Sequence, residues 1–500
     1  MAATALVVAA CSDDGATRAE DPPATVTTTS AAPAEVDPPT PDDGTADPMT
    51  EDDVLTMTGP ISSGGGIPQT ATPIDLVAHR YVEEEYFVSG DAASFEPVGE
   101  WGADGEWDVA VTATEPFTTR ILVRRPADGA AYNGTTVVEW LNVSSDVDID
   151  IDFVFASEEI LRGGYAWVGV SAQAVGITGD GVDSPFGPGA LGLQSWDSVR
   201  YGDLAHPGDA FSYDIFSQVG AALRTPGAAD PLGGLGVDRL IATGEWQGAF
   251  RLLTYANAVH PVAEVYDGVI VHSRNGSGAP LLGDAIAGGE VPDAASLRTD
   301  LDIPVFQVDT ETDLFGLGAP FPPARQDDTD HIRTWEVAGL AHSDAHYLSR
   351  LSEQGTRQFD GFLDLSGVLT QMNTGPRNYV MNAVLRRLDR WIADGTPPPT
   401  APPIETTEAQ IVRDADGNAM GGLRTPHVDI PIATLTGEGL SVVGRTLPFD
   451  EATLAAQYGD EATYLAEFTD ALDATIGAGF LLADDRDQIL ADAADRYPGS

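Results

Sequence analysis

The chain has 500 residues, with 25 arginines and no lysine against 78 acidic residues, so its formal net charge is −53. A surface this negative repels phosphates and anionic lipid head groups, which argues against nucleic-acid binding and against membrane binding through a basic patch. Apolar residues make up 42% of the chain, which is enough for a large buried core in one or two domains.

The first eleven residues have the features of a lipoprotein signal segment. Small apolar residues lead to Cys11, the only cysteine, in the sequence LVVAAC (6–11). This sequence resembles the lipobox of bacterial lipoproteins, in which such a cysteine is lipidated and becomes the mature N-terminus. We therefore expect an exported protein that is held at the bacterial cell envelope by a lipid on Cys11. That lipid would be the only contact of the protein with a membrane.

Residues 12–58 are rich in proline, threonine, alanine and acidic residues, and no aromatic residue occurs in this segment. Such a composition cannot bury enough apolar area to offset the entropy lost on ordering. We expect a disordered tether between the lipid and the folded part.

Past the tether, short β-branched apolar runs alternate with amphipathic helical patterns, which is typical of a parallel sheet covered on both faces. The predicted strands are 119–123, 135–141, 165–171, 239–243, 266–272, 303–308 and 333–337. The predicted helices are 153–161, 213–223, 247–259 and 376–391. The pattern predicts one α/β domain over residues 59–396.

The remaining residues, 397–500, have a different pattern. A hairpin turn is predicted at Asp416-Gly417, followed by three acidic helices around 449–458, 461–476 and 487–497. We expect an accessory region that packs on the α/β domain or caps it.

The segment most informative about function is GEWQG (244–248), which directly follows a predicted strand and opens a predicted helix. Two glycines separated by three residues suit a sharp strand-to-helix elbow, where a strained residue sits at the centre and flanking side chains would clash. In the α/β-hydrolase fold the central residue is a serine nucleophile. Here it is Trp246.

Several further segments resemble the α/β-hydrolase-domain proteins that occur as large secreted or lipid-anchored proteins in bacteria. The resemblance covers most of the chain after residue 59 and rests on VEWLNVS (138–144), YAWVGVSAQ (165–173), YDIFSQ (213–218), the elbow, VHSR (271–274), TETD (310–313) and GLRTPHVD (422–429). It implies an α/β-hydrolase fold, with a mostly parallel central sheet and helices on both faces. The C-terminal region would add a helical and hairpin accessory part. The family elbow carries a serine where this chain has Trp246.

The chain order of hydrolase triads, serine then acid then histidine, places the other partners. The acid follows the strand at 303–308; the family motif there favours Glu311, with Asp313 close behind, while Asp309 shares that acidic loop. The histidine follows the last strand, which indicates His342, with His346 as the second choice.

Family logic also predicts the oxyanion donors. One is the backbone N–H of Gln247, after the nucleophile position, and the other comes from Asn142 or Val143 after the strand at 135–141.

An indole has no atom that can attack an acyl group, so Trp246 excludes covalent catalysis at that position. By resemblance the protein is a carboxylic-ester hydrolase with lost or very low activity, acting on a small ester-like molecule. The alternative is a non-catalytic protein that binds a small ligand or a protein partner in the former pocket. Ser171 and Ser273, at the ends of neighbouring strands, are the possible substitute nucleophiles.

No cofactor and no metal are expected. His342, Asp344 and His346 alternate like metal ligands, but no further histidine or cysteine lies nearby in sequence. Asp414 to Asn418 resembles the start of a calcium loop without the closing glutamate, so a plain turn is favoured. The alternating aspartates at 146–152 precede a helix and are interpreted as a charge run that favours the positive end of the helix dipole.

Overall fold

The computed structural model of the chain describes residues 55–144, 146–179, 192–282, 291–358, 370–439 and 441–498. Cys11, the signal segment 1–11 and most of the predicted tether lie outside the described residues, so export and lipid anchoring stay predictions. The predicted C-terminal boundary of the tether, residue 58, lies too far along the chain. Residues Thr56–Thr58 form strand β1, which pairs with the next strand.

A nine-stranded sheet organises the domain, in the order β1-β2-β3-β5-β4-β6-β7-β8-β9. The six strands from β5 to β9 are parallel, whereas β1, β2 and β3 form an antiparallel extension at one edge. The remaining strands are β2 (Tyr81–Val98), β3 (Asp108–Pro126), β4 (Thr135–Trp140), β5 (Ala166–Val170), β6 (Arg239–Glu245), β7 (Gly268–His272), β8 (Val305–Thr310) and β9 (Ile332–Val337).

The β2–β3 hairpin is longer than the strand predicted from sequence. Only 119–123 of β3 is predicted from sequence, because this segment contains the apolar run Ile121 to Val123, whereas most side chains of 108–116 are exposed. Pairing with β2 along its whole length, with one register shift at Ser94/Phe95, gives that exposed half its strand conformation.

The helices are α1 (Ile151–Gly163), α2 (Ala174–Thr178), α3 (Leu193–Trp196), α4 (Ser198–Tyr201), α5 (Ser212–Arg224), α6 (Gln247–Thr254), α7 (His260–Ala263), α8 (Glu311–Phe315), α9 (Ala345–Gln358), α10 (Arg377–Asp394), α11 (Pro426–Asp429), α12 (Glu451–Gln457), α13 (Glu461–Ala478) and α14 (Arg486–Arg496). A π-helical turn, Tyr255–Val259, joins α6 to α7. α1 and α10 contribute to the core on one face of the sheet, and α5 and α6 contribute to the core on the other. The prediction of a mostly parallel sheet with helices on both faces is confirmed.

The C-terminal region packs on this sheet. Leu423 forms a parallel bridge with Val337 at the end of β9, and the Trp335 indole donates to the Pro399 carbonyl. Phe468 of α13 and Ile489 of α14 join the same core as α1 and α10. A separate two-stranded sheet consists of β10 (Ala433–Thr436) and β11 (Arg445–Pro448).

The predicted turn at Asp416-Gly417 is present. Gly417 has φ +81°, and Asp414 Oδ1 accepts hydrogen bonds from the N–H groups of Asp416 and Asn418. The Asp414 carboxylate therefore stabilises its own turn, as in a plain Asx turn.

Within the described ranges, no helix combines the length and apolar character needed to cross a bilayer.

Candidate active site

The elbow predicted between β6 and α6 is present, with Trp246 as the single residue between them. Trp246 has φ +54° and ψ −110°, a combination that side-chain-bearing residues rarely adopt and that costs of order 1–3 kcal/mol. A Cβ on Gly244 would lie 2.9 Å from the Gly248 carbonyl carbon, and one on Gly248 would lie 2.9 Å from the Trp140 oxygen. Both glycines are therefore required by close backbone approach, which confirms the sequence prediction.

The bend holds the Trp246 indole at the carboxyl edge of the parallel strands, against His342. Their ring centroids are 4.6 Å apart with the planes at 65°, and the indole also packs on Phe250 at 5.4 Å. Only 7% of Trp246 is exposed. The position that a nucleophile would occupy is therefore filled by an apolar ring beside an imidazole.

His342 forms a buried pair with Asp313. Its Nδ1 lies 3.0 Å from Asp313 Oδ1, so Nδ1 carries the proton and Nε2 faces the interior of the site. Asp313 lies in the first turn of α8, where its Oδ2 also accepts from the Thr310 N–H at 2.6 Å. Burial alone would raise the pKa of Asp313, but the hydrogen bond and charge of His342, together with Arg377, lower it below its usual value.

The prediction of Glu311 as the acid that pairs with His342 was wrong, because the Glu311 carboxylate binds other groups. Its Oε1 accepts from the Gly339 N–H, and its Oε2 is bound by the Gly437 N–H and the Arg413 guanidinium. Glu311 thus ties the accessory region to the loop after β9, while Asp313 contacts His342. Asp309 points elsewhere, accepting from the Arg274 N–H.

His346, the second choice for the base, stacks with Phe155 at 6.1 Å, and no contact links it to Asp313. Asp344 Oδ1 accepts from the Tyr347 N–H. Nowhere in the described segments do three or more potential metal ligands cluster.

The two loop residues predicted as alternative oxyanion donors, Asn142 and Val143, differ in whether their backbone N–H is already used. The Asn142 N–H donates to the Ile149 carbonyl at 3.1 Å. Because this backbone donor is already used, the prediction of Asn142 as an oxyanion donor was wrong. The N–H groups of Val143 and Gln247 donate to no other described residue. These two N–H groups remain as candidate donors, and Gln247 begins the elbow helix.

Sequence reasoning did not assign a role to Glu245, which lies directly before Trp246. Its Oε1 is 3.3 Å from His342 Nε2 and 3.4 Å from Arg377 Nη2, and the Asn142 side chain donates to its Oε2 at 3.3 Å. Burial raises the pKa of Glu245 to about 7, against the lowering effect of His342 and Arg377. The imidazole of His342 therefore lies between two carboxyl groups.

Arg377, at the start of α10, connects this pair to a second histidine. Its guanidinium donates to His272 Nε2 from Nε (3.0 Å) and Nη2 (2.7 Å), to Ser273 Oγ at 2.6 Å, and to the carbonyl of His342. On the other side, His272 Nδ1 lies 2.5 Å from Asp152 Oδ1. Because a guanidinium only donates hydrogen bonds, His272 Nε2 accepts and carries no proton. Burial together with Arg377 lowers the pKa of His272 to about 4.

Asp148 and Asp150, which precede α1, are buried ion-pair partners, which corrects their interpretation as part of a charge run. Asp150 Oδ2 lies 2.5 Å from Arg124, and Asp148 lies 3.6 Å from Arg120. The Asp150 side chain makes no capping bond to α1.

Neither serine considered as a substitute nucleophile forms a hydrogen bond with a histidine within the described residues. Ser171 Oγ donates to Asp148, and Ser273 Oγ accepts from Arg377. Both residues are fully buried.

A family model described as "Alpha/beta hydrolase domain" matches residues 57–491. The chain belongs to this family. No curated protein sequence matches the chain.

Solved structures similar to this alpha/beta hydrolase include an α/β serine hydrolase without lid from Xanthomonas campestris (11% identity, 54% of this chain and 97% of that one, TM-score 0.27). A second is a putative dienelactone hydrolase from Klebsiella pneumoniae subsp. pneumoniae (12% identity, 54% and 95%, TM-score 0.25). A third is a fungal esterase from Rhizomucor miehei (9% identity, 41% and 49%, TM-score 0.21), of which this chain spans about half the length.

In this alpha/beta hydrolase the close packing at the elbow predicts that Gly248→Ala is destabilising. The added methyl group would meet the Trp140 carbonyl at 2.9 Å, and we expect the free energy of unfolding to fall by about 2–3 kcal/mol in urea titrations. The control is Gly477→Ala in α13, where no atom lies within 4 Å of the new methyl and alanine should stabilise the helix by up to about 1 kcal/mol. Equal midpoints for the native chain and Gly248→Ala would contradict the close approach.

Arg377→Gln removes the cation between Glu245 and His272 and leaves buried polar groups without their partner. We expect a loss of about 3–5 kcal/mol in the free energy of unfolding, measured in urea. Arg390→Gln, on the same helix, breaks only the exposed pair with Asp394 and should leave the midpoint where it is. Similar small effects for both variants would show that the Arg377 network does not support the fold.

The raised pKa of Glu245 predicts a pH-dependent effect of Glu245→Gln. Between the usual value of 4.5 and about 7 the unfolded chain releases a proton that the folded chain retains, so this carboxyl lowers stability as pH rises through that window. Glutamine cannot ionise. The free energy of unfolding of the variant, relative to the native chain, should therefore increase by about 2–3 kcal/mol between about pH 5 and pH 8.

The measurement is urea unfolding at half-unit pH steps, with Glu467→Gln, an exposed position on α13, as the control. A parallel pH dependence for native chain and Glu245→Gln would mean that Glu245 ionises normally in the folded state.

Proposed function

We propose that this protein derives from carboxylic-ester hydrolases and has lost covalent catalysis, because its nucleophile position is occupied by Trp246. One observation carries the proposal: the residue at the peak of the strained elbow lies against His342, whose Nδ1 is bonded to Asp313. This is the spatial order of nucleophile, base and acid in a serine hydrolase triad, with an indole in the first place.

The remaining groups can perform only part of acyl transfer. The N–H groups of Val143 and Gln247 are available to stabilise an oxyanion, and the pair of His342 and Asp313 is available to accept a proton. No hydroxyl delivers that proton, since the indole N–H is neither acidic nor nucleophilic. Hydrolysis supported by oxyanion stabilisation alone is slower than triad catalysis by orders of magnitude.

Restoring the hydroxyl tests the proposal. Trp246→Ser places a serine at the elbow beside His342, and removal of the indole opens space for an acyl group. With a short-chain nitrophenyl ester we expect kcat/KM to rise by roughly 10²–10⁴-fold over the native chain. Trp246→Ala, which opens the same space without a hydroxyl, should show no such gain.

The same Trp246→Ser background tests Asp313 as the acid of the triad. In the Trp246→Ser protein, Asp313→Asn should abolish most of the gained activity, because the amide cannot hold the imidazole in the required tautomer. His346→Gln should retain it. Failure of Trp246→Ser to exceed Trp246→Ala, with both proteins folded, would rule out the triad assignment.

A second candidate is a non-catalytic protein that binds a small carbonyl-bearing ligand in the former pocket. The observation that favours it is that the paired His342 and Asp313 lie against a residue unable to react, while the N–H groups of Val143 and Gln247 donate to no other described residue. Under this proposal Trp246→Ser gains no esterase activity, while the native chain gains thermal stability with an ester ligand and Trp246→Ala does not.

A further inference from the structure

A cavity of about 230 Å³ lies in the C-terminal region between α11, the β10–β11 hairpin, α13 and α14. Its walls are mostly apolar and include Ile430, Ile432, Leu435 and Ala493. Trp246, His342 and Asp313 do not line it. The cavity is therefore separate from the candidate active site.

Arg496, in the last turn of α14, supplies the cationic group of this cavity. Its Nη1 donates to the Thr374 carbonyl at 2.8 Å, which holds the guanidinium beside the opening. In a chain with a net charge of −53, an arginine is expected to find a carboxylate. Within the described residues, however, Arg496 forms no ion pair, although Arg486 on the same helix pairs with Asp473.

Two acidic residues of α14, Asp492 and Asp495, lie within one turn of Arg496, and neither forms an ion pair with its guanidinium. Asp492, one turn earlier, accepts the Tyr379 hydroxyl at 2.8 Å and the Gln488 amide at 2.8 Å. The guanidinium thus retains donors for an anion from outside the chain, and guanidinium groups bind carboxylates through paired hydrogen bonds.

His427 supplies a second polar atom. Its ring packs edge-on against Phe468 at 5.2 Å, and its Nδ1 is buried without a hydrogen-bond partner among the described residues. Burial, with Arg496 nearby, lowers the pKa of His427 to about 3, so the ring is neutral near pH 7. A buried polar atom without a partner costs stability, which a bound ligand would recover.

We propose that this cavity binds a small monocarboxylate with an apolar body, its carboxylate held by Arg496 and approached by His427 Nδ1. The size fits: an engineered apolar cavity of roughly 150 Å³ holds benzene, so this volume suits a body of roughly six to eight carbon atoms. The apolar walls take the hydrocarbon and the cation at the rim takes the charge. This site adds a binding function beyond the proposed ester hydrolase ancestry and does not depend on it.

Calorimetric titration of the full chain with hexanoate tests the proposal. We expect saturable binding at one site, at least about tenfold weaker in Arg496→Gln, because a charge-assisted hydrogen-bond pair is lost. Arg496 is exposed, so its replacement should leave the fold intact. Arg486→Gln, on the same helix outside the cavity, is the matched control and should bind hexanoate like the native chain.

Two further measurements locate the ligand. Ala493→Phe fills the cavity and should abolish binding, whereas Trp246→Ala should leave it unchanged. 1-Hexanol, which has the same number of carbon atoms and no charge, should bind at least about tenfold more weakly than hexanoate.

The proposal is overturned if hexanoate does not bind saturably, or if Arg496→Gln binds it like the native chain. It is also overturned if Trp246→Ala removes binding, which would place hexanoate in the former catalytic pocket. Equal affinity for hexanoate and 1-hexanol would remove the assigned role of Arg496.

Discussion

Arg377 donates hydrogen bonds at the centre of a group of buried ionisable side chains, and the arrangement of the site depends on this one cation. Glu245 and His272 come from adjacent parallel strands, and both contact its guanidinium. A buried carboxylate or imidazole needs a partner to offset its lost hydration. Through the His342 carbonyl the same group also holds the backbone that carries the candidate base.

This arrangement explains why the pair of His342 and Asp313 stays ordered without a serine. The indole of Trp246 covers one side of the imidazole, Asp313 binds Nδ1, and Glu245 faces Nε2. The elbow strain is likewise independent of chemistry, since it follows from the close approach of Gly244 and Gly248. The arrangement of Trp246, His342 and Asp313 is thus maintained by packing and charge.

The sequence predicted features that depend on local pattern. The elbow was predicted from two glycines at fixed spacing between a strand and a helix. The position of His342 near the elbow was predicted from its place after the last strand. The role of Arg377 was not predicted, because it contacts Glu245 and His272 across more than a hundred residues. The position of Asp313 in a capping box of α8, next to His342, would have been the signal favouring it over Glu311.

The choice between Glu311 and Asp313 illustrates the limit of local pattern. Both residues are buried and lie in the same helical turn, so their side chains leave the helix in different directions. Glu311 binds both the accessory region and the Gly339 N–H, whereas Asp313 binds the His342 ring. No periodicity of the chain encodes where a distant segment will pack.

The sequence by itself determined the α/β architecture, the family and the elbow with a tryptophan at position 246, because these depend on residue type, spacing and hydrophobic pattern. Only the tertiary structure decided which carboxylate pairs with His342, that Asp148 and Asp150 are buried partners of arginines, and that Arg496 forms no ion pair within the described residues. These are contacts between side chains distant in sequence, and their energies depend on burial and geometry that exist only once the chain has folded.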